Sequence, residues 1–281
     1  MDSISQTENK FEISLIKRRT AIGMRNIKFR YSNQGPLVLD IESLNIEDGE
    51  RVAVIGPSGA GKTSLFRLID GLIQPQAGEI EVLGTKIGSN TRMDRSFRSR
   101  IGFIYQNFNL IERATVFENV LWGRLAHLNP LLSMINWFPE SHKLIALRVI
   151  EEVNLTQQIN QRTDSLSGGQ LQRVAIARVL AQEPDLIMAD EPVSNLDPVL
   201  TDEILDLLIE VSKKHHITLL MNLHQPELAK KYAERIIGIR KGQIVYDSPE
   251  ELFGSHIHKS IFDNEFSSMN KQKKQDISSG R

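Results

Sequence analysis

The chain contains no cysteine. That excludes a disulfide framework and any cysteine-based zinc site, and it suits a cytosolic protein. No apolar run in its 281 residues reaches the ~20 that a membrane-spanning helix needs. Any tie to a membrane is therefore expected through another protein or through peripheral contact. Charge of one sign is missing as well: 34 Lys and Arg stand against 35 Asp and Glu, a formal net charge of -1. That balance makes no electrostatic case for nucleic acid, which is not expected as a partner. The first ten residues are polar and lack the apolar centre of a secretory signal. Neither an internal repeat nor a low-complexity core is visible.

What remains is an ordinary globular composition, 40% hydrophobic and 25% charged. It is enough for a sizeable core in one or two domains. Polar sequence at both ends sets the expected boundaries: an N-terminal extension over 1–21, a folded domain over 22–258 and a solvated tail over 259–281.

Inside those limits the pattern is α/β. Ile27, Phe29 and Tyr31 alternate with polar residues, as on a half-buried strand. A second extended stretch carries Leu39, Ile41, Leu44 and Ile46, and a third carries Ile80 and Val82 after a turn at Gly78. These predict a small, partly antiparallel sheet near the N-terminus. By contrast Val52–Ile55, Leu186–Ala189 and Ile217–Met221 are continuous apolar runs. Strands of a parallel sheet covered on both faces read this way. Ile236-Ile237-Gly238-Ile239, a Lys241-Gly242 turn and Ile244-Val245-Tyr246 predict a closing hairpin. Between Asn109 and Thr163 such strands are absent, and Leu144, Leu147, Val149, Ile150 and Val153 fit a helix. A mostly helical subdomain is expected at about 107–170.

Gly56-Pro57-Ser58-Gly59-Ala60-Gly61-Lys62-Thr63 fits G-x-x-x-x-G-K-[ST] at every fixed position, and Ser64 follows. The apolar run before it and the Leu65, Phe66, Leu68, Ile69 pattern after it supply the strand–loop–helix context that the motif requires. Glycines let backbone N–H groups wrap a phosphate, and the first turn of the helix adds its own. Lys62 brings a full positive charge to the β/γ-phosphates, and Thr63 offers a hydroxyl to Mg²⁺. ATP and Mg²⁺ are the expected ligands.

The run Leu186–Ala189 ends in Asp190-Glu191-Pro192. Carboxylates delivered at the C-terminal end of a buried strand lie where open α/β sheets bind ligands. Asp190 is placed to hold the metal shell and Glu191 to polarise the attacking water. A third motif, Leu166-Ser167-Gly168-Gly169-Gln170, opens an apolar helix that ends before Pro184. Ser167 and Gln170 have capping-box spacing, which alone means only a well-capped helix. The paired glycines weaken a helix but expose N–H groups to an anion at its N-terminus. One triphosphate hardly needs two such helices from one chain, whereas a symmetric dimer would bring the second from its partner.

Together the phosphate loop, the Leu-Ser-Gly-Gly-Gln motif and the Asp-Glu pair, in this order, resemble an ABC ATPase over roughly 22–255. The resemblance implies a P-loop NTPase (RecA-like) cassette with an N-terminal antiparallel β subdomain and a helical subdomain. It implies a homodimer in which each nucleotide lies between one subunit's phosphate loop and the other's Ser167–Gln170 helix. It also implies integral-membrane permease subunits, an indirectly coupled periplasmic-type solute-binding protein, and a peripheral location on the cytoplasmic face of the inner membrane. By the same resemblance Tyr31 stacks on adenine, and Gln106 touches Mg²⁺ and water and senses the membrane subunit. Ser194-Asn195-Leu196-Asp197 faces the opposite subunit, and His224 hydrogen-bonds the γ-phosphate. Phe108, Leu110 and Trp122 are candidates for core or for contact with the membrane subunit.

A narrower likeness concerns the solute. Asn109-Leu110-Ile111-Glu112-Arg113, Asn119–Leu125, Asn222-Leu223-His224-Gln225 and Tyr232–Gly238 resemble the phosphonate-import ATPases. Most ABC importers carry Thr-His in place of Leu223-His224. The phosphonate group usually has Ala-Ser where this chain has Ser194-Asn195. Import of phosphonate is thus the first expectation. Phosphite, a phosphate ester or a polar amino acid is the alternative solute, and a soluble non-transport ABC protein is the alternative class.

Overall fold

The computed structural model describes residues 19–32, 34–88, 94–135, 137–194, 196–254 and 257–262. Most of the expected N-terminal extension, Asn195 and the tail from 263 onward lie outside the described residues.

Two sheets organise the chain. The smaller is antiparallel, in the order β2-β1-β4-β5: β1 Thr20–Phe29, β2 Leu39–Glu47, β4 Ala77–Val82 and β5 Thr85–Ile87. The larger runs β10-β9-β3-β8-β7-β6. Its members are β3 Arg51–Ile55, β6 Ile101–Ile104, β7 Leu186–Asp190, β8 Thr218–Asn222, β9 Arg235–Arg240 and β10 Gln243–Pro249. All its neighbours pair in parallel except the β9–β10 hairpin.

The continuous apolar runs have a simple cause. Successive side chains of a strand point to opposite faces. Val52 and Val54 enter a core shared with the small sheet, whereas Ala53 and Ile55 enter the core on the other face. Helix α1, Lys62–Ile69, packs into the first core through Leu65, Phe66, Leu68 and Ile69. The second core is built by α3 Val116–Leu121, α5 Glu140–Glu152, α6 Gly168–Leu180 and α7 Pro198–His215. Short helices α2 Arg95–Ser99, α4 Pro130–Met134 and α8 Pro226–Tyr232 lie between the longer elements.

Helix ends follow from local chemistry. Asp197 caps α7 by accepting from the N–H groups of Val199 and Leu200, and Pro198 stands at its first position. Its last turn carries Lys213, Lys214 and His215, positive charge at the negative end of the helix dipole. Thr115 and Glu118 form a capping box on α3.

Four sequence expectations need correction. Tyr31 is not on β1, which ends at Phe29; the chain turns there, and Val38 N–H bonds back to Phe29 O at 2.8 Å. Gly78 is inside β4 instead of in a turn before it, packed against the β1 backbone at Asn26, where φ is 51°. Folded structure also extends beyond the 22–258 boundaries at both ends. Ala21 is buried in β1 at the front, and residues 257–262 are helical, with Ile261 buried against Gly238. The helical subdomain expected at 107–170 likewise has no boundary at 170, because α6 continues to Leu180 and packs on α3, α5 and β6.

Candidate active site

The C-terminal ends of the parallel strands meet along one edge of the large sheet, and most of the predicted residues lie there. The phosphate loop leaves β3 at Ile55 and enters α1 at Lys62. Its shape needs glycine at two places. Gly56 has φ 154°, and a Cβ there would collide with the Ile239 carbonyl oxygen. Gly61 has φ 110°, and its Cβ would crowd Leu39 and the Val38 carbonyl. Lys62 is 5% exposed, and its ammonium donates to the carbonyls of Gly56 at 2.7 Å and Pro57 at 3.2 Å, so it is folded back over its own loop. Gly61 precedes α1 without any side-chain cap, so the first N–H groups of that helix are not taken by one. Ser58, Gly59 and Thr63 are exposed, whereas Ala60 and Ser64 are buried and Pro57 is half-buried.

Tyr31 is brought to this loop although it is off the strand. Its hydroxyl shares a 3.0 Å hydrogen bond with Ser64 Oγ and accepts from Arg67 at 3.4 Å. Phe29 meets its ring edge-on at 4.9 Å, and Tyr31 as a whole is 59% exposed.

The acids sit two strands away. Asp190 on β7 pairs in register with Asn222 on β8, which pairs with Val54 on β3. Two strand spacings separate Val54 from Asp190, about 10 Å. Asn222 Nδ2 donates to Asp190 Oδ1 at 2.6 Å and so orients the carboxylate. Glu191 follows in left-handed backbone, φ 53°, and its Oε1 lies 2.5 Å from His224 Nε2. Beside this pair a cavity of about 300 Å³ opens between Glu191, Ser194, Leu196, Thr201, His224 and Leu228.

Gln106 leaves the end of β6, the next strand after β7, and is exposed. Its turn is closed by Phe108 N–H bonding Tyr105 O at 3.1 Å. The surroundings are polar and partly buried. Burial pushes the Asp70 carboxyl, at the end of α1, up to about 6, against the pull of Arg98. Burial, reinforced by the Asp70 carboxylate, raises the Tyr105 hydroxyl, while Arg178 acts the other way. Arg178 itself is lowered from its ordinary range by burial.

Ser167, Gly168, Gly169 and Gln170 open α6 at the end opposite Arg178, with Gly168 beside Leu196. The capping box is present: Ser167 Oγ accepts from Gln170 N–H at 3.4 Å, and Gln170 Oε1 accepts from Ser167 N–H at 3.0 Å. Ser167 and Gly168 are exposed, and Gly169 packs on Leu200. Arg178, near the other end of α6, is the residue that reaches the Gln106 turn. Eleven residues of helical rise put Ser167 roughly 16 Å from that end.

Leu110 and Trp122 pack against the core, and Phe108 is half-buried. Among the described residues the exposed large apolar side chains of the helical region are instead Ile111, Leu131, Met134, Ile135, Trp137, Leu144 and Leu147. Sequence reasoning also missed Asn222, Asp70 and Arg178. None left a distinguishing trace: Arg178 shares its helix with Gln170, Gln172 and Arg173.

A phosphate cradle at one strand end and a carboxylate–histidine pair farther along the same sheet edge define a P-loop ATPase cassette. The chain belongs to the ABC transporter family, whose model matches residues 39–194. It is an ATP-binding, ATP-hydrolysing member of that family, within the group of the phosphonates import ATP-binding proteins. It is 43% identical over 242 residues to Phosphonates import ATP-binding protein PhnC 1 of Halalkalibacterium halodurans, covering 86% of this chain and 94% of the relative. It is 41% identical over 252 residues to the PhnC protein of Staphylococcus saprophyticus, covering 87% and 97%. Among solved structures, cbiO1 of Clostridium perfringens, part of an ABC transporter complex, superposes with a TM-score of 0.74 at 26% identity, covering 83% of this chain and 89% of that one. A bacterial ABC transporter cassette solved as a dimer gives 0.69 at 31% identity, covering 83% and 100%. No helix among the described residues is long and apolar enough to cross a membrane.

Proposed function

We propose that this chain binds and hydrolyses Mg²⁺–ATP as a homodimer on the cytoplasmic face of a membrane, and so powers a permease that imports a phosphonate. The 40–43% identity to phosphonate-import relatives along at least 94% of their length carries the solute assignment. The hydrolytic assignment rests on the Glu191–His224 pair at the same sheet edge as the glycine cradle.

The residues present fit Mg²⁺. Among the described residues no cluster of three or more His, Asp or Glu is arranged to hold a metal by itself. Mg²⁺ in such sites takes one or two protein oxygens and the rest from phosphates and water. The exposed Thr63 hydroxyl and the Asp190 carboxylate would supply those oxygens, with Gln106 beside them, and the ion would neutralise phosphate charge. Lys62 exchanges its two carbonyl partners for phosphate oxygens. The N–H groups of Gly59 through Ser64 ring the β-phosphate, and Tyr31 offers its ring face to adenine. Glu191 holds the attacking water in line, and His224 donates to the γ-phosphate. Fixed charge and hydrogen-bond donors aimed at the transferring phosphoryl group provide most of the acceleration. Ser167, Gly168, Gly169 and Gln170 close the site from the partner subunit, a reading supported by their place at the end of α6 opposite the one that holds this chain's own Gln106 turn. Loss of the γ-phosphate removes part of what holds the two subunits together, and their separation is passed to the permease. A periplasmic-type binding protein would deliver the solute from the other side.

The test is transport by membrane vesicles containing the chain with its co-encoded permease and binding protein. Internal Mg²⁺–ATP should drive accumulation of a labelled alkylphosphonate, and Lys62→Ala should abolish it. Accumulation of phosphite, a phosphate ester or an amino acid in its place overturns the solute. Recovery of the chain with ribosomes or DNA, and with no multi-span partner, overturns the class.

A further inference from the structure

The Gln106 turn is held from both sides. On its entry side Tyr105 stacks on Phe103 at 4.3 Å, and Phe103 meets Phe66 of α1 edge-on at 6.3 Å. That side therefore rests on the helix that follows the phosphate loop. On its exit side stand Phe108 and Asn109, both non-glycine residues in left-handed backbone, with φ 57° and 50°. Two consecutive residues in that region are costly and persist only where surrounding contacts impose them. The contacts come from Arg178 on the last turn of α6. Its Nη2 donates to Phe108 O at 2.9 Å and its Nη1 to Asn109 O at 2.5 Å. Carbonyls of adjacent left-handed residues thus share one planar guanidinium, a geometry that lysine cannot reproduce in full.

The same turn of α6 also seats the helical region. Gly123 lies so close to Arg178 O that a Cβ would collide with it. Arg124, 5% exposed, donates to Ala181 O and to Glu183, each at 2.7 Å. One helical turn therefore holds the insertion by its backbone and the Gln106 turn by its side chain.

We propose that Arg178 is a positioning residue for ATP hydrolysis: it sets where Gln106 stands and makes that position follow α6. The proposal rests on the reading of Gln106 as a residue of the hydrolytic site. A shift of α6 and the helical region draws Phe108 and Asn109 with it, while Tyr105 stays on α1. Gln106 lies between the fixed side and the carried side. Ser167 opens the same helix, so the position of the end meant for the partner's nucleotide is reported to the end that holds this chain's own Gln106.

The experiment is a double-mutant cycle on the full chain, read by steady-state ATPase kinetics. Arg178→Met keeps a buried stem and removes the forked donors. It should lower kcat by about tenfold or more with KM for ATP within twofold, and Arg178→Lys should recover part of kcat. In a Gln106→Ala background, Arg178→Met should cost less than twofold further. An equal loss of kcat in both backgrounds overturns the proposal and leaves the Gln106 reading intact. A Gln106→Ala variant with unchanged kcat overturns that reading and the proposal with it. Should Arg178→Met fail to fold by circular dichroism, Arg178→Lys replaces it in the same cycle, with a smaller expected loss that must again vanish without Gln106.

Discussion

His224 Nε2 lies 2.5 Å from Glu191 Oε1, joining the loop after β8 to the residue that follows β7. The pair is 33 residues apart in sequence and meets because β7 and β8 are parallel neighbours. Glu191→Gln keeps an acceptor for His224 and removes the basic carboxylate. Hydrolysis should fall roughly 10²- to 10⁴-fold, the range for losing a positioned general base. Nucleotide affinity should remain, and a dimer should accumulate with ATP. Phosphate release, equilibrium binding and size-exclusion chromatography read the three quantities; near-normal phosphate release would remove Glu191 from its role.

Ser167→Arg places a long cation at the exposed start of α6, about 16 Å along that helix from the end that reaches the chain's own Gln106 turn. ATP binding by the monomer should be unchanged while turnover is lost. Mixing this variant with Glu191→Gln should restore one competent site per mixed dimer and hence partial activity. Normal turnover by Ser167→Arg alone would sink the shared site.

Gly56→Ala and Gly59→Ala separate collision from backbone preference. Both positions have positive φ, but a Cβ at Gly59 meets nothing within 4 Å. Gly59→Ala should cost about 1–2 kcal/mol of stability, the ordinary penalty of a left-handed L-residue. Gly56→Ala must also displace the Ile239 carbonyl and should cost more than that, over about 2 kcal/mol, with weaker ATP binding. Urea midpoints that agree for the two variants would contradict the packing argument.

Asp70 gives a pH dependence of definite sign. Its carboxyl is raised from 3.8 to about 6 by burial. Between those values the folded chain keeps a proton that the unfolded chain has lost, so stability falls as pH rises through the window. Above it the full cost stands at about 2–3 kcal/mol. Asp70→Asn should therefore be more stable than the parent at pH 7.5, with roughly half of that advantage left at pH 5. Equal gains at both pH values in urea titrations would show that burial does not govern this carboxyl.

The phosphate loop was legible in sequence because its chemistry is contiguous: the residues that bind are the residues that set the backbone. The Asp190-Glu191 pair was legible for a similar reason, as the end of one apolar run. Tyr31 was placed on a strand by alternation, yet the chain turns before it, and its position comes from hydrogen bonds to Ser64 and Arg67 that no local pattern announces. In β2 the buried positions change phase between Ile41 and Leu44, opposite the left-handed Asn26 of β1, so strict alternation could not describe that strand. Arg178 and Asp70 were illegible because their significance is burial against remote elements. Within the insertion only α5 is legible by itself, from Leu144 to Val153, since short pieces such as Pro130–Met134 carry too few turns for a periodic signal.

The β9–β10 hairpin has a consequence for synthesis. Ile239 O blocks any side chain at Gly56, Gly242 N–H bonds Ala60 O at 2.9 Å, and Gly242 O receives Asp40 N–H at 2.8 Å. β9 also covers the flank of β3 opposite β8. The walls of the nucleotide cradle are thus supplied by chain that leaves the ribosome some 180 residues after the motif itself, at ~5–20 residues per second. A nascent polypeptide halted before Arg235 carries the whole glycine–lysine motif but an open strand flank, and it should acquire ATP affinity only when the hairpin arrives.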